Sequence, residues 1–141
     1  MVIKIKKELQ KDKNEIDKVF TREELEWNNN IIYVLYIPNN IQVSFYLIGR
    51  IERKSNYYSF NYEEDIQIAL NNGFELLIEF PNINKEYTNT KLFNTFASRI
   101  PTKNRKDITD ILKKYNLYKY DEFDLLKNSN GKLPIDRLIF I

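Results

Sequence analysis

The chain has 141 residues, 43% of them hydrophobic and 30% charged, with a formal net charge of +2. That is the size of one domain, able to bury about two-thirds of its unfolded surface, and the net charge is too small for a general nucleic-acid binder. There is no cysteine and no histidine, which excludes disulfides, thiolate chemistry and every mechanism that uses imidazole as a base or metal ligand.

Residues 2–6 (VIKIK) alternate apolar and charged side chains, the pattern of a half-buried strand. Residues 14–27 read as helix, with Thr21 and Glu24 forming a capping box ahead of Leu25 and Trp27. The opening is too short and too charged for a signal peptide, and no run approaches the length of a membrane span; a cytoplasmic location is expected. Residues 31–37 (IIYVLYI) form a continuous apolar run and predict a central strand. Residues 43–51 (VSFYLIGRI) predict a second strand, in which Gly49 marks a bulge or a close backbone approach. Residues 57–62 (YYSFNY) predict a third, with alternating aromatics, and the three together an antiparallel meander. Residues 63–71 predict a short helix with Ile66, Ala69 and Leu70 inward, closed by Asn71-Asn72-Gly73. Residues 74–80 (FELLIEF) predict another strand stopped by Pro81, then a polar loop over 82–89.

The stretch from 92 to 126 carries the clearest helical signal. Leu92, Phe93, Phe96, Ala97 and Ile100 lie on one helix face, and Pro101 stops that helix. Asn104 can cap the next, with Asp107 in its first turn, Ile108, Ile111, Leu112 and Tyr115 on its apolar face, and Asn116 just past its end. A third helix starts at Asp121, buries Phe123, Leu125 and Leu126, and ends near Asn128-Ser129-Asn130-Gly131. Residues 135–141 (IDRLIFI), after Pro134, predict a strand that returns to the sheet. The expected fold class is α+β: a twisted antiparallel sheet of five to six strands with three or more helices packed on one side. Residues 1–30 form an N-terminal extension (strand plus helix), and residues 31–141 the main domain.

Charge is unevenly spread. Between 91 and 119, eight Lys/Arg (Lys91, Arg99, Lys103, Arg105, Lys106, Lys113, Lys114, Lys119) face only Asp107 and Asp110. Between 61 and 90, six carboxylates (Glu63, Glu64, Asp65, Glu75, Glu79, Glu86) face Lys85 alone. The plain reading is two solvated faces; the sharper one is a docking surface for an acidic partner or for nucleic acid. Candidate chemistry is sparse. The three glycines are isolated, so a glycine-rich phosphate loop is not expected. Glu63-Glu64-Asp65 lacks the convergent carboxylates that magnesium needs and reads as a solvated helix start. Ser98-Arg99 near Lys103 has no supporting context as a nucleophile pair. No catalytic residue, cofactor or metal is expected.

Phe93 and Phe96 on one helix are followed by Arg99-Ile100-Pro101, Arg105, an Ile/Leu helix ending in Tyr115, then Phe123-Asp124-Leu125-Leu126, and Gly131 before a closing strand. Upstream lie the 31–37 strand, Gly49-Arg50-Ile51 and Tyr58-Ser59-Phe60-Asn61-Tyr62. Across about residues 31–141 this arrangement resembles the small N-terminal subdomain of HipA-type toxin kinases and the separate HipS-like proteins that correspond to it. Residues 74–81 (FELLIEFP) keep the strand and proline of that family's pattern but not its serines. The resemblance implies a non-catalytic regulator, because the ATP and magnesium residues of HipA lie outside this subdomain. It implies an antitoxin-like protein that binds and restrains a HipA-like serine/threonine kinase toxin, in a partner set that can include a DNA-binding antitoxin. The candidate partner-binding residues are Arg99, Lys103, Arg105 and Lys106, at the turn between the first two helices of the stretch; ordinary solvated surface is the competing reading of the same four. An alternative function is nucleic-acid binding by the basic face, with Tyr115, Tyr118 and Tyr120 available for stacking. Another is a phage defence or counter-defence inhibitor module, such as an inhibitor of a host nuclease.

Overall fold

A computed structural model describes residues 28–38, 45–131, 133 and 136–141. The expected strand at 2–6, the helix at 14–27 with Trp27, and Pro134 lie outside the described residues. Five strands form one antiparallel sheet: β1 (Ile31–Tyr36), β2 (Tyr46–Arg53), β3 (Tyr58–Tyr62), β4 (Tyr87–Asn89) and β5 (Leu138–Phe140), in the order β4-β3-β2-β1-β5. Four helices among the described residues, α1 (Ile66–Leu70), α2 (Asn94–Ala97), α3 (Ile108–Lys114) and α4 (Glu122–Ser129), contribute to the core on one face only. The α+β class, the meander β1–β3 and the return of the C-terminal strand are therefore as the sequence predicts.

The continuous apolar run of β1 has a direct consequence. Ile32, Val34 and Tyr36 enter the helix-side core, while Ile31, Tyr33 and Leu35 join Leu47, Ile139 and Ile141 in a second buried cluster on the opposite face. Both expectations for Gly49 hold. Val34 pairs with Gly49 but Leu35 pairs with Leu47, so Ile48 is an extra residue in β2 and bulges it. The bulge resets the alternation of β2, and Ile51 then faces the helices along with Ile48. Asp65 pins this irregularity: its carboxylate accepts the Leu47 N–H at 2.9 Å and its own N–H donates to the Leu47 carbonyl at 3.1 Å. The Glu63-Glu64-Asp65 cluster is thus not simply a solvated helix start. Asp65 is buried, and the half-buried Glu63 lies 3.5 Å from Arg50, with its carboxyl raised by burial against the opposing Arg50 charge.

Gly49 is also a close approach. A β-carbon there would sit 2.6 Å from Cε1 and 2.8 Å from Cζ of the Phe60 ring, which is itself fully buried against Phe80 and Phe96 and has nowhere to swing. Gly49→Ala is expected to destabilise by about 1–3 kcal/mol through overpacking. An unchanged urea midpoint would show that the ring has room to give.

Two expectations fail together. Residues 74–80 form no strand; the chain runs irregularly with a turn at Ile78–Glu79, and the place beside β3 is taken by Tyr87–Asn89, expected as loop. The reason is that side chains satisfy the backbone of this segment. The Tyr62 hydroxyl accepts the Leu77 N–H at 3.0 Å and donates to the Phe80 carbonyl at 2.7 Å. Burial pushes that phenol up to about 12, opposed by the Leu77 bond, so it stays a donor across the working pH range. The Glu79 carboxylate accepts from the Thr95 N–H and hydroxyl at 3.0 and 2.6 Å, tying the segment to the first turn of α2. A polar Tyr-Thr-Asn strand fits the sheet edge it occupies, where Thr88 and Asn89 stay exposed.

Capping fixes the last helix. Asp121 caps α4 by accepting the Asp124 N–H at 2.9 Å. Arg53 then clamps the same turn to β2, at 3.1 Å from both Asp121 and Asp124, with its guanidinium over the Phe123 ring. Asn130 and Gly131 close the helix with positive φ, 63° and 52°. The Asn130 carbonyl accepts the Phe140 N–H, and its side-chain amide donates to the Phe140 carbonyl at 2.7 Å. The start of α3 differs from expectation: it begins at Ile108 and not at Asn104. Asp107, at its N-cap, makes no side-chain cap bond, because its carboxylate is taken by Arg105.

Candidate functional site

The chain between α2 and α3 leaves the core at Ile100 and crosses residues 101–107, almost all exposed, before α3 begins. Tyr120 holds this crossing in place by donating to the Pro101 carbonyl at 2.8 Å. The four sequence-predicted contact residues separate here into two kinds.

Arg99 belongs to the fold. Its side chain is only 5% exposed. Its guanidinium bridges both carboxylate oxygens of Asp136 at 2.6 and 2.8 Å, donates from Nε to the Gly131 carbonyl at 2.6 Å, and lies 4.8 Å from the Phe140 ring centroid. Those contacts join α2, the end of α4 and β5, and they use the guanidinium fork bidentately. Lys103, Arg105 and Lys106, by contrast, are exposed. Arg105 pairs with its near neighbour Asp107 at 2.6 Å across an open surface, a contact worth little in water. Lys103 and Lys106 make no ion pair among the described residues. Lys113, Lys114 and Lys119 extend the same exposed positive surface along and past α3.

Two hollows flank α3. One, of about 270 Å³, is bordered by Arg99, Arg105, Lys114, Tyr115, Ser129 and Gly131, so it brings two of the four predicted residues to one place. The other, of about 470 Å³, is lined by Thr109, Leu112, Lys113, Asn116, Leu117 and Tyr118. Sequence reasoning set the three tyrosines of this region side by side; the structure distinguishes them. Tyr120 is spent on Pro101, Tyr115 is half-buried beneath the Lys114 ammonium, and Tyr118 is fully exposed. The signal for the second hollow lay in Asn116, whose left-handed φ of 60° ends α3 and turns Leu117 back onto Leu112.

The Ser98 hydroxyl donates to the Thr95 carbonyl at 3.4 Å, and Arg99 is held by Asp136. Among the described residues no group of three His, Cys, Asp or Glu is placed to hold a metal, and no helix is long and apolar enough to cross a membrane.

A family model for the HipA N-terminal domain matches residues 40–134. The chain belongs to the HipA N-terminal domain family. The matched span runs from just before β2 through α4 and contains both helices of the basic crossing, whereas β1 and its edge partner β5 lie outside it. No curated protein and no solved structure matches the chain.

Proposed function

We propose that this chain is a non-catalytic, protein-binding regulator of the HipS type, which binds a HipA-like serine/threonine kinase toxin and restrains it. The observation that carries the reading is the family match over residues 40–134, which covers the whole of the basic α2–α3 region. Family membership points to a toxin–antitoxin setting and to a protein as partner; the exposed cations supply a surface for an acidic one. Of the four residues expected to make contact, Lys103, Arg105 and Lys106 are free to do so, and Arg99 positions the crossing from beneath.

The test is co-expression of the tagged chain with a HipA-like kinase from the same genome, followed by affinity measurement and a phosphorylation assay with and without the chain. A stoichiometric complex with depressed kinase activity is expected. The triple variant Lys103→Glu, Arg105→Glu, Lys106→Glu is expected to change stability by no more than about 0.5 kcal/mol per site, since it touches only surface. It should weaken the complex about tenfold, mainly through slower association. No complex, or a kinase indifferent to the chain, would refute the reading. Nucleic acid in the eluate that washes off steeply with salt would move the assignment to a phosphate-binding role.

A further inference from the structure

We infer that the hollow beside α3, floored by Leu112 and Leu117 and flanked by Tyr118, is a docking groove for an acidic, amphipathic segment of a protein partner. Three observations converge on it. First, α3 repeats Ile108, Ile111 and Leu112 on one face, yet none of its residues is fully buried, whereas α4 buries Phe123, Leu125 and Leu126 completely. The apolar side of α3 is only half used by the core beneath it. Second, the way α3 ends builds a concave apolar floor. The Leu117 N–H donates back to the Leu112 carbonyl at 2.8 Å and the Asn116 N–H to Lys113 at 3.1 Å, which seats Leu117 on Leu112 and leaves Tyr118 standing free in solvent. A large exposed aromatic beside a hollow of about 470 Å³ is the kind of anchor on which protein interfaces concentrate their energy. Third, the surroundings select the charge of the occupant. Lys113 lines the groove, and Lys114 and Lys119 adjoin its lining residues in sequence, against Asp110.

The floor also discriminates between partner classes. Two leucines offer nothing to a phosphate, and a single tyrosine gives one stacking platform where single-stranded nucleic acid is usually tracked by several. An amphipathic helix that inserts apolar side chains and turns carboxylates toward the lysines satisfies both the floor and the rim. That the occupant belongs to the kinase rests on the function proposed above; the groove and the chemistry it selects do not.

The experiment is an amide-resolved NMR titration of the full chain. The probe is a synthetic peptide with leucines at i, i+3, i+4 and i+7 and glutamates elsewhere; its control carries lysine for every glutamate. Saturable shifts confined to Leu112, Lys113, Leu117 and Tyr118 are expected with the acidic peptide. Tyr118→Ala and Lys113→Glu, both changes at exposed side chains that leave the core intact, should each weaken binding about tenfold. Shifts that are absent or scattered over the sheet, or equal binding of the lysine control, would overturn the inference. So would a DNA duplex that displaces the peptide, or concentration-dependent dimerisation abolished by Tyr118→Ala. The kinase gives a separate arm. If the wild-type chain binds it and Tyr118→Ala binds equally well, the groove assignment falls and the antitoxin reading stands. If the acidic peptide seats in the groove and the kinase does not bind, the antitoxin reading falls and the groove stands.

Discussion

Arg99→Ala is expected to lower folding stability by about 3 kcal/mol, the cost of breaking a largely buried ion pair whose second member keeps some contact with water. The side chain of Arg99 is 5% exposed and that of Asp136 is 33% exposed. Removing the guanidinium strands the Asp136 carboxylate, the Gly131 carbonyl and one face of Phe140 at once. Arg99→Lys is expected to recover only part of the loss, since an ammonium cannot span both carboxylate oxygens and the carbonyl. Urea unfolding of the two variants, beside Arg105→Ala as a surface control expected within about 0.5 kcal/mol of wild type, measures this directly. Equal midpoints for Arg99→Ala and Arg105→Ala would return Arg99 to the exposed contact surface. A pH signature accompanies the loss. Burial alone would raise Asp136, but the hydrogen bond and charge of Arg99, with the Leu138 N–H, outweigh it and hold the carboxyl below its ordinary value. The folded state therefore binds that proton less tightly than the unfolded chain. The stabilisation is complete above the unfolded carboxylate value of about 4, and drains away as pH falls below it through the lower folded value. In Arg99→Ala this portion of the acid limb should flatten.

Phe80→Ala is expected to cost about 4 kcal/mol, within the range for truncating a fully buried phenylalanine. Phe80 is fully buried, and its ring lies 4.3 to 5.6 Å from the centroids of Phe60, Tyr87, Phe93 and Phe96, so β3, β4 and α2 all meet on it. Its own segment has no strand ladder to fall back on. Once the ring is gone, the Tyr62 hydroxyl is expected to lose its hold on the Phe80 carbonyl, and hydrogen exchange across 74–81 should rise well beyond what the global loss explains. A variant with unchanged exchange there would mean that the two Tyr62 bonds alone hold the segment.

These two residues also show how far the sequence could be read. The meander and the helix start at Asp121 were legible because each depends on neighbours in the chain: the continuous apolar run of β1 and the alternating aromatics of β3, and a side chain reaching three residues ahead. Arg99 was counted into a basic run because its counter-charge, Asp136, is 37 residues away and invisible to a local tally. Residues 74–80 carry the composition of a strand, and what keeps them out of the sheet is a hydroxyl on β3 that no window of the sequence contains. Tyr118 looked like its neighbours Tyr115 and Tyr120 until burial distinguished them.

The contact between Asn130 and Phe140 bears on how this domain meets other chains. β5 lies at the margin of the sheet and turns the backbone groups of Leu138 and Phe140 outward. Asn130 occupies both groups of Phe140, and Asp136 accepts the Leu138 N–H. A passing extended peptide finds three of the four outward main-chain groups of Leu138 and Phe140 already taken, which disfavours strand addition and edge-to-edge aggregation on that side. Recognition at that margin is left to side chains and not to the backbone.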